Sequence, residues 1–187
     1  DRLRPQSRGV WKNPEVLDRL SRYRDIIDKK RYAKYLLAKE VPCDKGLDQP
    51  LDELWSAHEK ISEDFWDSVD SGEGRTDQSP SPSFLDLKSE IANRILQSCH
   101  FCERRCGADR TKDELGWCKL ASESRVSSAF LHTGEEAPLV PSGTIFFASC
   151  CFGCVFCQNY DISTNPNSGD VVDPKKLAGI AEALVRR

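Results

Sequence analysis

Apolar residues recur every three or four positions through the first part of the chain, which is the spacing of one face of an α-helix. The first run follows an asparagine N-cap, a proline suited to the first helical position and an acid, and its apolar members are Val16, Leu20, Tyr23 and Ile27. We expect one helix from about Pro14 to Lys39. A second run predicts a second helix with acids on its outer face: Leu51, Leu54, Trp55, His58, Ile61 and Phe65.

The composition changes over residues 68–83 to serine, aspartate, glycine and proline, and includes Ser79-Pro80-Ser81-Pro82. Such a stretch cannot bury enough apolar area to order itself. We therefore predict a helical extension over residues 1–67 and a disordered linker over 68–83 that marks the domain boundary.

The helical pattern returns after the linker, where Ser83 is expected to cap a helix with Leu87, Ile91 and Ile95 on its apolar face. This helix leads directly to Cys99, so residues 84–124 are predicted to form a helix followed by a cysteine-rich segment.

Runs of β-branched and aromatic residues then predict strands at Arg125–Leu131 and Thr144–Ala148. The second is apolar throughout, as in a strand covered on both faces. Asp173-Pro174 caps a final helix, whose predicted inward residues are Leu177, Ile180, Ala181 and Leu184. A strand, a cysteine loop and a helix in this order predict a βα unit of the α/β class, with its chemistry at the carboxyl end of the strand.

Composition and charge narrow the functional classes. The chain has 39% apolar and 30% charged residues and a net charge of −3, with neither a membrane-spanning run nor a secretion signal. A cytoplasmic protein without a membrane partner is expected. The first 34 residues carry eleven basic against five acidic residues, but the acids are interleaved, which predicts a salt-bridged surface rather than a nucleic-acid interface. No methionine occurs and the last predicted helix runs to Arg187, so both ends are expected to be cut points, with truncation at the carboxyl end.

Cysteine is the unusual component, because eight of the nine cysteines lie between Cys99 and Cys157 in two groups. The second group contains Cys150, Cys154 and Cys157 with the spacing C-x3-C-x2-C. Three thiolates on one loop can hold three irons of a [4Fe-4S] cluster and leave the fourth iron open to another ligand. A zinc site there needs a fourth ligand, and the nearest acid is Asp161.

The first group has the spacing C-x2-C-x3-C-x11-C and the four thiols that closed tetrahedral coordination requires: Cys99, Cys102, Cys106 and Cys118. Zinc and a second iron-sulfur cluster both suit four thiolates. We favour iron because the neighbouring loop already implies cluster loading. The net negative charge of either form is expected to be offset by Arg104, Arg105 and Arg110.

The stretch from Gly143 to Asp161 resembles the first strand and cluster loop of radical S-adenosylmethionine enzymes, whose motif is C-x3-C-x-aromatic-C. More narrowly, it is similar to the group related to pyruvate formate-lyase activating enzymes, in which x-Asn-x-Asp follows the last cysteine, as Asn159 and Asp161 do here. The segment Cys99–Cys118 resembles the amino-terminal cysteine segment of the uncharacterised branch of that group. The resemblance covers about Cys99 to Arg187.

This resemblance implies that Cys150, Cys154 and Cys157 ligate a [4Fe-4S] cluster, and that S-adenosylmethionine chelates the fourth iron. Phe156 would pack near the adenine. An electron donor such as a flavodoxin or ferredoxin would reduce the cluster, and cleavage of the sulfonium would yield a 5′-deoxyadenosyl radical. Cys151 stands where the family requires no cysteine and is expected to be a bystander.

The resemblance further implies that residues 125–187 begin a partial (β/α) barrel, so this length of chain alone would not be a fully competent enzyme. The implied reaction is activation of a protein substrate by abstraction of a glycyl hydrogen, or modification of a peptide or small molecule. The alternative is a non-catalytic zinc-binding module that contacts nucleic acid or protein. The identity of the metal separates the two classes.

Overall fold

The structure is a computed structural model that describes residues 5–71 and 76–186. They divide into two compact units, of which one is Pro14–Ile95 and the other joins Asp1–Asn13 to Leu96–Arg187, as far as these are described. The helices of the first unit are α1 (Pro14–Arg19), α2 (Ser21–Ile27), α3 (Lys34–Ala38), α4 (Leu51–Ser71) and α5 (Phe84–Leu96). The predicted domain boundary lies at residues 68–83, whereas the observed boundary follows Ile95, so that α5 belongs with the helices before it.

The single helix predicted from Pro14 to Lys39 is wrong, because the chain there forms α1, α2 and α3 instead. Asp28 ends α2, Lys29 adopts a left-handed φ of 58°, and the N–H groups of Lys30 and Arg31 both donate to the carbonyl of Asp25. None of the residues of α1 and α2 is buried. Without burial of the apolar face, helical periodicity alone does not hold a long helix together.

The charged residues of this region pair with one another, as the interleaved acids predicted. Arg24 and Lys30 both contact Asp28, at 3.1 and 3.5 Å, and Arg31 contacts Asp25 at 3.5 Å. These are exposed pairs, each of which contributes little to stability.

The core of the helical unit lies between α4 and α5. The buried positions of α5 are spaced three or four residues apart, as the sequence predicted, and those of α4 are three, eight and four residues apart: Leu54, Ala57, Phe65, Val69, Phe84, Leu87, Ile91 and Ile95. Ala38 and Cys43 complete this core. Phe84 is its centre, fully buried and packed edge-on against Phe65 with ring centroids 5.4 Å apart.

The first part of the disordered linker predicted over residues 68–83 is helical instead. Residues 68–71 extend α4, because Val69 continues the apolar face and is only 2% exposed. Residues 76–83 run back along the segment before α4. The N–H of Cys43 donates to the carbonyl of Pro82, and the N–H of Phe84 donates to that of Val41. Backbone bonds therefore hold the end of this stretch beside residues 41–43. Residues 72–75 lie outside the described residues.

Ser83 caps α5 as predicted, in a reciprocal arrangement with Asp86. The Ser83 N–H and hydroxyl each donate to Asp86 Oδ2 at 2.8 Å, and the Asp86 N–H donates to Ser83 Oγ at 3.2 Å. These bonds satisfy donors that the first helical turn leaves unpaired. The backbone bond from Ser83, followed by its hydroxyl bond, holds the pKa of Asp86 below the ordinary value of 3.8.

We expect Ser83→Ala to lower the free energy of unfolding by about 1 kcal/mol, because the cap hydroxyl is lost. The folded pKa of Asp86 lies below its unfolded value, so the contribution of the cap is present above the unfolded pKa and disappears as pH falls through the folded one. Urea unfolding at neutral and acidic pH measures both effects. The control is Ser89→Ala, since that exposed hydroxyl donates only to the carbonyl of Leu85 within the helix. Equal losses in the two variants would contradict the capping argument.

The second unit contains a three-stranded antiparallel sheet in the order β2-β1-β3, so its class is mixed α and β. The strands are β1 (Ser124–His132), β2 (Ser142–Phe147) and β3 (Asp170–Val172). The first two confirm the strand predictions, and β3 was not predicted because three residues are too few to show an alternating pattern. The register pairs Ala129 with Ile145 and Arg125 with Val171.

The sheet corrects two details of the predicted βα unit. Strand β2 is not covered on both faces, since none of its residues is buried and Phe147 is 45% exposed. Strand β3 also comes between the cysteine loop and the last helix, and both outer strands run antiparallel to β1. The described residues thus show an antiparallel sheet and not a closed parallel barrel.

Short α6 (Tyr160–Ser163) follows the cysteine loop, and α7 (Pro174–Val185) ends the described chain. Asp173 caps α7 as predicted, accepting a 2.7 Å hydrogen bond from the Lys176 N–H. Leu184 is buried near Gly143 of β2, where a Cβ would lie 3.2 Å from Leu184 Cβ. Of the predicted inward residues, Ala181 is exposed because it lies at the edge of this face. Among the described helices, none has an apolar stretch that would reach across a bilayer.

Candidate functional site

The cysteine loop begins where β2 ends, and its base is held by a turn at Ser149. Ser149 has a φ of 70°, its N–H donates to the carbonyl of Ile162 at 2.7 Å, and its hydroxyl donates to the carbonyl of Cys118. The preceding Ala148 N–H donates to Arg125 of the neighbouring strand at 2.9 Å. The first thiol, Cys150, therefore leaves a fixed strand end that is bonded to the upstream cysteine segment.

The remainder of this loop is open to solvent. Cys150 and Cys157 are half-buried, while Cys154 is exposed. The Cys157 N–H donates to the carbonyl of Cys154 at 3.3 Å, and Cys157 Sγ lies 3.4 Å from Ser163 Oγ on α6. Phe156 is 86% exposed between these cysteines. That Phe156 packs near the adenine of S-adenosylmethionine stays a prediction.

The upstream set starts at the end of α5, where Cys99 is buried and bonded through its backbone. Its N–H donates to the carbonyl of Ala108, and its carbonyl accepts from the N–H of Gly107, which has a φ of 69°. Cys106 lies beside it, with Sγ 3.9 Å from the Cys99 carbonyl oxygen. Backbone N–H groups of Ala108 and Trp117 hold the pKa of Cys106 below the ordinary thiol value, which favours the thiolate that a metal requires.

Arg110 is the basic residue that reaches these thiols. Its Nη1 donates to the carbonyls of Leu120 and Ala121 at 2.7 and 3.0 Å, and its Nη2 donates to Cys118 Sγ at 3.1 Å. Burial disfavours its charge, but bonds to Cys118 and Cys99 outweigh burial and raise the pKa of Arg110 above its ordinary value. The predicted charge compensation is thus present at Arg110, while Arg105 is exposed.

Two further features suit a bound metal-thiolate group at this set. Arg110 Nε is buried and has no hydrogen-bond acceptor among the described residues, so a donor remains available beside the thiols. The absence of a side chain at Gly116 leaves space for the Arg110 guanidinium and the Cys106 thiol. A Cβ at this position would collide with Arg110 Nη2 and lie 3.2 Å from Cys106 Sγ. The donor set, the positive charge and the free donor together fit four-thiolate coordination.

One cavity of about 470 Å³ connects the two cysteine groups. Its thiols come from both loops and are those of Cys99, Cys102, Cys106, Cys118, Cys150 and Cys151. Cys154 and Cys157 do not line it. The sequence placed each group on its own loop, and only the fold brings the two loops to the same cavity.

The cysteines that line this cavity do not lie close enough together to bind one metal ion. Among the residues that the structure describes, no three cysteine, histidine or carboxylate side chains converge on a common point where a metal ion could be held. Coordination by either set therefore requires its thiols to move closer together than they lie here. His100 is exposed and its Nδ1 lies 2.8 Å from the carbonyl oxygen of Ser98. Asp161 is exposed in the first turn of α6.

Arg104 fastens the upstream segment to the cysteine loop, a role that the sequence did not reveal. Its Nε donates to the carbonyl of Cys151 at 3.1 Å and its Nη2 donates to that of Phe152 at 2.9 Å. The guanidinium also lies over the Trp117 ring, 3.9 Å from the ring centroid. Gly153, with a φ of 68°, packs so closely on Trp117 that a Cβ would lie 2.8 Å from the ring. Spacing along the sequence carries no signal for such contacts.

Cys151, which the sequence treated as a bystander, lines the cavity together with the upstream cysteines. Burial, followed by the charge and hydrogen bond of Cys102, raises the pKa of the Cys151 thiol.

The comparisons with known proteins give one relative. "Uncharacterized protein MJ0674" of Methanocaldococcus jannaschii is 44% identical to this chain over 170 residues, which is 87% of this chain and 48% of that protein. The chain thus spans about half the length of that relative. No protein-family model and no solved structure matches the chain.

Proposed function

We propose that this chain is the amino-terminal part of a radical S-adenosylmethionine enzyme. The observation that carries the proposal is the C-x3-C-x2-C loop, Cys150 to Cys157, which leaves the carboxyl end of β2 from a fixed base at Ser149. Three thiols without a fourth protein ligand on the same loop are the donor set for a [4Fe-4S] cluster with one open iron.

The exposure of the loop supports this assignment. Cys154 and Phe156 are exposed, so a cofactor can approach them without disturbing a core. The thiols of Cys150, Cys154 and Cys157 would hold the cluster, and the exposed ring of Phe156 is available to cover an adenine. When bound, the cluster and S-adenosylmethionine supply an electron and a 5′-deoxyadenosyl radical for hydrogen abstraction.

The upstream cysteines would hold a second metal site in the same proposal. Cys99, Cys102, Cys106 and Cys118 supply the four thiolates, and Arg110 offsets their negative charge through its bond to Cys118. Iron as a second cluster is favoured over zinc because the first loop already implies cluster loading. Arg104 would keep the two sites in a fixed relation by bonding the backbone of Cys151 and Phe152.

The complete enzyme would add the remaining units of a partial (β/α) barrel. The relative is about twice as long as the matched region, which is consistent with that expectation. The electron donor, a flavodoxin or ferredoxin, and the substrate, a protein activated by glycyl hydrogen abstraction, belong to the proposal for the whole protein. Fold analogy alone does not choose the substrate.

Anaerobic reconstitution of the full 187-residue chain with iron and sulfide tests the proposal. We expect a reduced-cluster signal in electron paramagnetic resonance that changes on addition of S-adenosylmethionine. Roughly four irons per chain would leave the upstream set to zinc, and roughly eight would make it a second cluster. The Cys154→Ala variant should lose the S-adenosylmethionine-sensitive signal, because one of the three ligands is gone.

The matched control is Cys43→Ala, which removes a buried thiol of the helical unit and should leave both the iron count and the signal unchanged. Circular dichroism confirms that the variants are folded. Two bound zinc ions, no iron and no response to S-adenosylmethionine would reject the enzyme and support a zinc-binding module instead.

A further inference from the structure

A lysine and a histidine that the proposed function does not use meet in the helical unit, between α4 and α5. Lys88 Nζ of α5 lies 2.7 Å from His58 Nε2 of α4. Both residues are half-buried. They stand 30 positions apart in the sequence, so the contact is made by the fold alone.

Aromatic rings surround this pair and hold its geometry. The Lys88 ammonium lies 4.1 Å from the centroid of the Phe84 ring, and the centroids of the His58 and Phe84 rings are 5.2 Å apart. Trp55 packs edge-on against His58, with ring centroids 5.3 Å apart. Because Phe84 is fully buried, the pair rests on a fixed ring of the core.

The short distance determines how the pair is protonated. An ammonium has no lone pair, so His58 Nε2 is the acceptor when Lys88 is charged. Burial, followed by the charge of Lys88, lowers the pKa of His58 below its ordinary value of 6.5, against the opposing charge of Glu59. Burial also lowers the pKa of Lys88. Near neutral pH a neutral imidazole therefore lies beside an amine that loses its proton more readily than an ordinary lysine.

We propose that Lys88 is a site of acylation, at which a small acyl phosphate transfers its acyl group to the lysine nitrogen and His58 accepts the proton that this nitrogen releases. A distance of 2.7 Å lies within the hydrogen-bond reach that a nucleophile and its base require. Lys88 is half-buried and not enclosed, so a small reagent can approach its nitrogen. The proposal concerns the helical unit and does not rest on the proposed function.

The transfer replaces a carbon–oxygen bond with a carbon–nitrogen bond. The neutral amine of Lys88 attacks the acyl carbon, which leaves a positive charge on the nitrogen. His58 Nε2 takes a proton from that nitrogen, and the bond to phosphate breaks with its electron pair on the phosphate oxygen. Of the two protons that the original ammonium loses, phosphate takes one and water takes the other. Nothing is oxidised or reduced, and the products are an amide and inorganic phosphate.

Acylation would change the contact between α4 and α5. The amide carries no charge, so the attraction between the ammonium and the Phe84 ring is lost. The positive neighbour that helps to lower the pKa of His58 is lost with it.

Site-resolved acetylation tests the proposal. The full 187-residue chain is treated with acetyl phosphate near neutral pH, and hydroxylamine then destroys the reagent and removes acetyl groups from thiols. Deuterated acetic anhydride in urea labels the remaining lysines, so that mass spectrometry gives the acetylated fraction at each one. Trypsin then cleaves only at arginine, and Lys88 is the single lysine of residues 76–94. We expect Lys88 to react at least about tenfold faster than Lys60, which is exposed on α4.

His58→Gln separates proton acceptance from burial, because glutamine keeps an acceptor for the ammonium but takes no proton. The ratio of the Lys88 rate to the Lys60 rate should fall at least about tenfold in this variant. The matched control is His132→Gln, which removes an imidazole that pairs with Glu135 in the other unit, and it should leave the ratio unchanged.

The pH dependence of the same ratio is a second measurement, which cancels the loss of free amine that both lysines share. In the unsubstituted chain the ratio should fall as pH drops below the pKa of His58, since a protonated imidazole accepts nothing. In His58→Gln the ratio should not depend on pH.

Circular dichroism checks that the variants are folded, and the pH dependence of the unsubstituted chain tests the role of His58 even if His58→Gln does not fold. The proposal is overturned if Lys88 reacts no faster than Lys60, if the ratio in the unsubstituted chain does not change with pH, or if folded His58→Gln keeps the ratio of the unsubstituted chain.

Discussion

Replacing Arg110 with methionine is expected to weaken metal binding by the upstream cysteines about 10- to 100-fold, the usual effect of removing a group that orients and balances ligands. Arg110 Nη2 donates to Cys118 Sγ, and Nη1 fixes the guanidinium to the carbonyls of Leu120 and Ala121. Methionine keeps much of the length of the side chain but removes the charge and every donor. The negative charge of four thiolates would then lack its compensation.

The pH dependence of binding should change in the same variant. The positive charge of Arg110 is one of the groups that keep the pKa of Cys106 low, after the backbone bonds from Ala108 and Trp117. Without that charge the pKa rises, so the thiolate forms, and the metal binds, at higher pH than in the parent protein. Competition between the protein and a chelator for cobalt, followed by the thiolate absorption bands, measures affinity at each pH.

Arg105→Met is the matched control, because Arg105 stands beside Cys106 but is exposed, and it should change the affinity little. Gly116→Ala supplies an independent disturbance of the same guanidinium, since the added Cβ would collide with Arg110 Nη2. It should weaken binding without changing any charge. Unchanged affinity in Arg110→Met would show that the thiols need no compensation from this side chain.

Replacing Phe84 with alanine is expected to lower the free energy of unfolding of the helical unit by about 3–5 kcal/mol, since the change leaves a large cavity in a packed core. Phe84 is 0% exposed. Its ring packs against Phe65 and His58, with centroids 5.4 and 5.2 Å apart, and the Lys88 ammonium lies 4.1 Å from its centroid. Each of these contacts is lost in the variant.

Urea unfolding followed by far-ultraviolet circular dichroism measures this loss, because the helices dominate the signal. Phe84→Leu keeps most of the buried volume and should cost clearly less. Tyr35→Ala removes an aromatic side chain that is 60% exposed in the same unit, and should change stability by only about 0.5 kcal/mol. A Phe84→Ala loss as small as that of Tyr35→Ala would mean that the core is not centred on this ring.

Local chemistry explains which elements could be predicted. Helices α4 and α5 repeat apolar residues at helical spacing and bury them, and Ser83 and Asp173 carry caps whose bonds involve only the next three residues. The single helix over Pro14–Lys39 failed because its first two turns of apolar residues, in α1 and α2, bury no side chain in the core. The pairing of Pro82 and Phe84 with Cys43 and Val41 could not be predicted either, since these backbone bonds join residues about 40 positions apart.

The candidate site divides in the same way. The spacing of Cys150, Cys154 and Cys157, and of the upstream set, is a property of neighbouring positions, and so the sequence alone determined the two groups of thiols. It also determined that a strand precedes the second group. Only the tertiary structure decided that Cys150 and Cys151 line one cavity with the upstream set, and that Arg104 bonds the backbone of Cys151 and Phe152. These contacts join residues far apart in sequence or on different loops, and their energies depend on distances that no local pattern records.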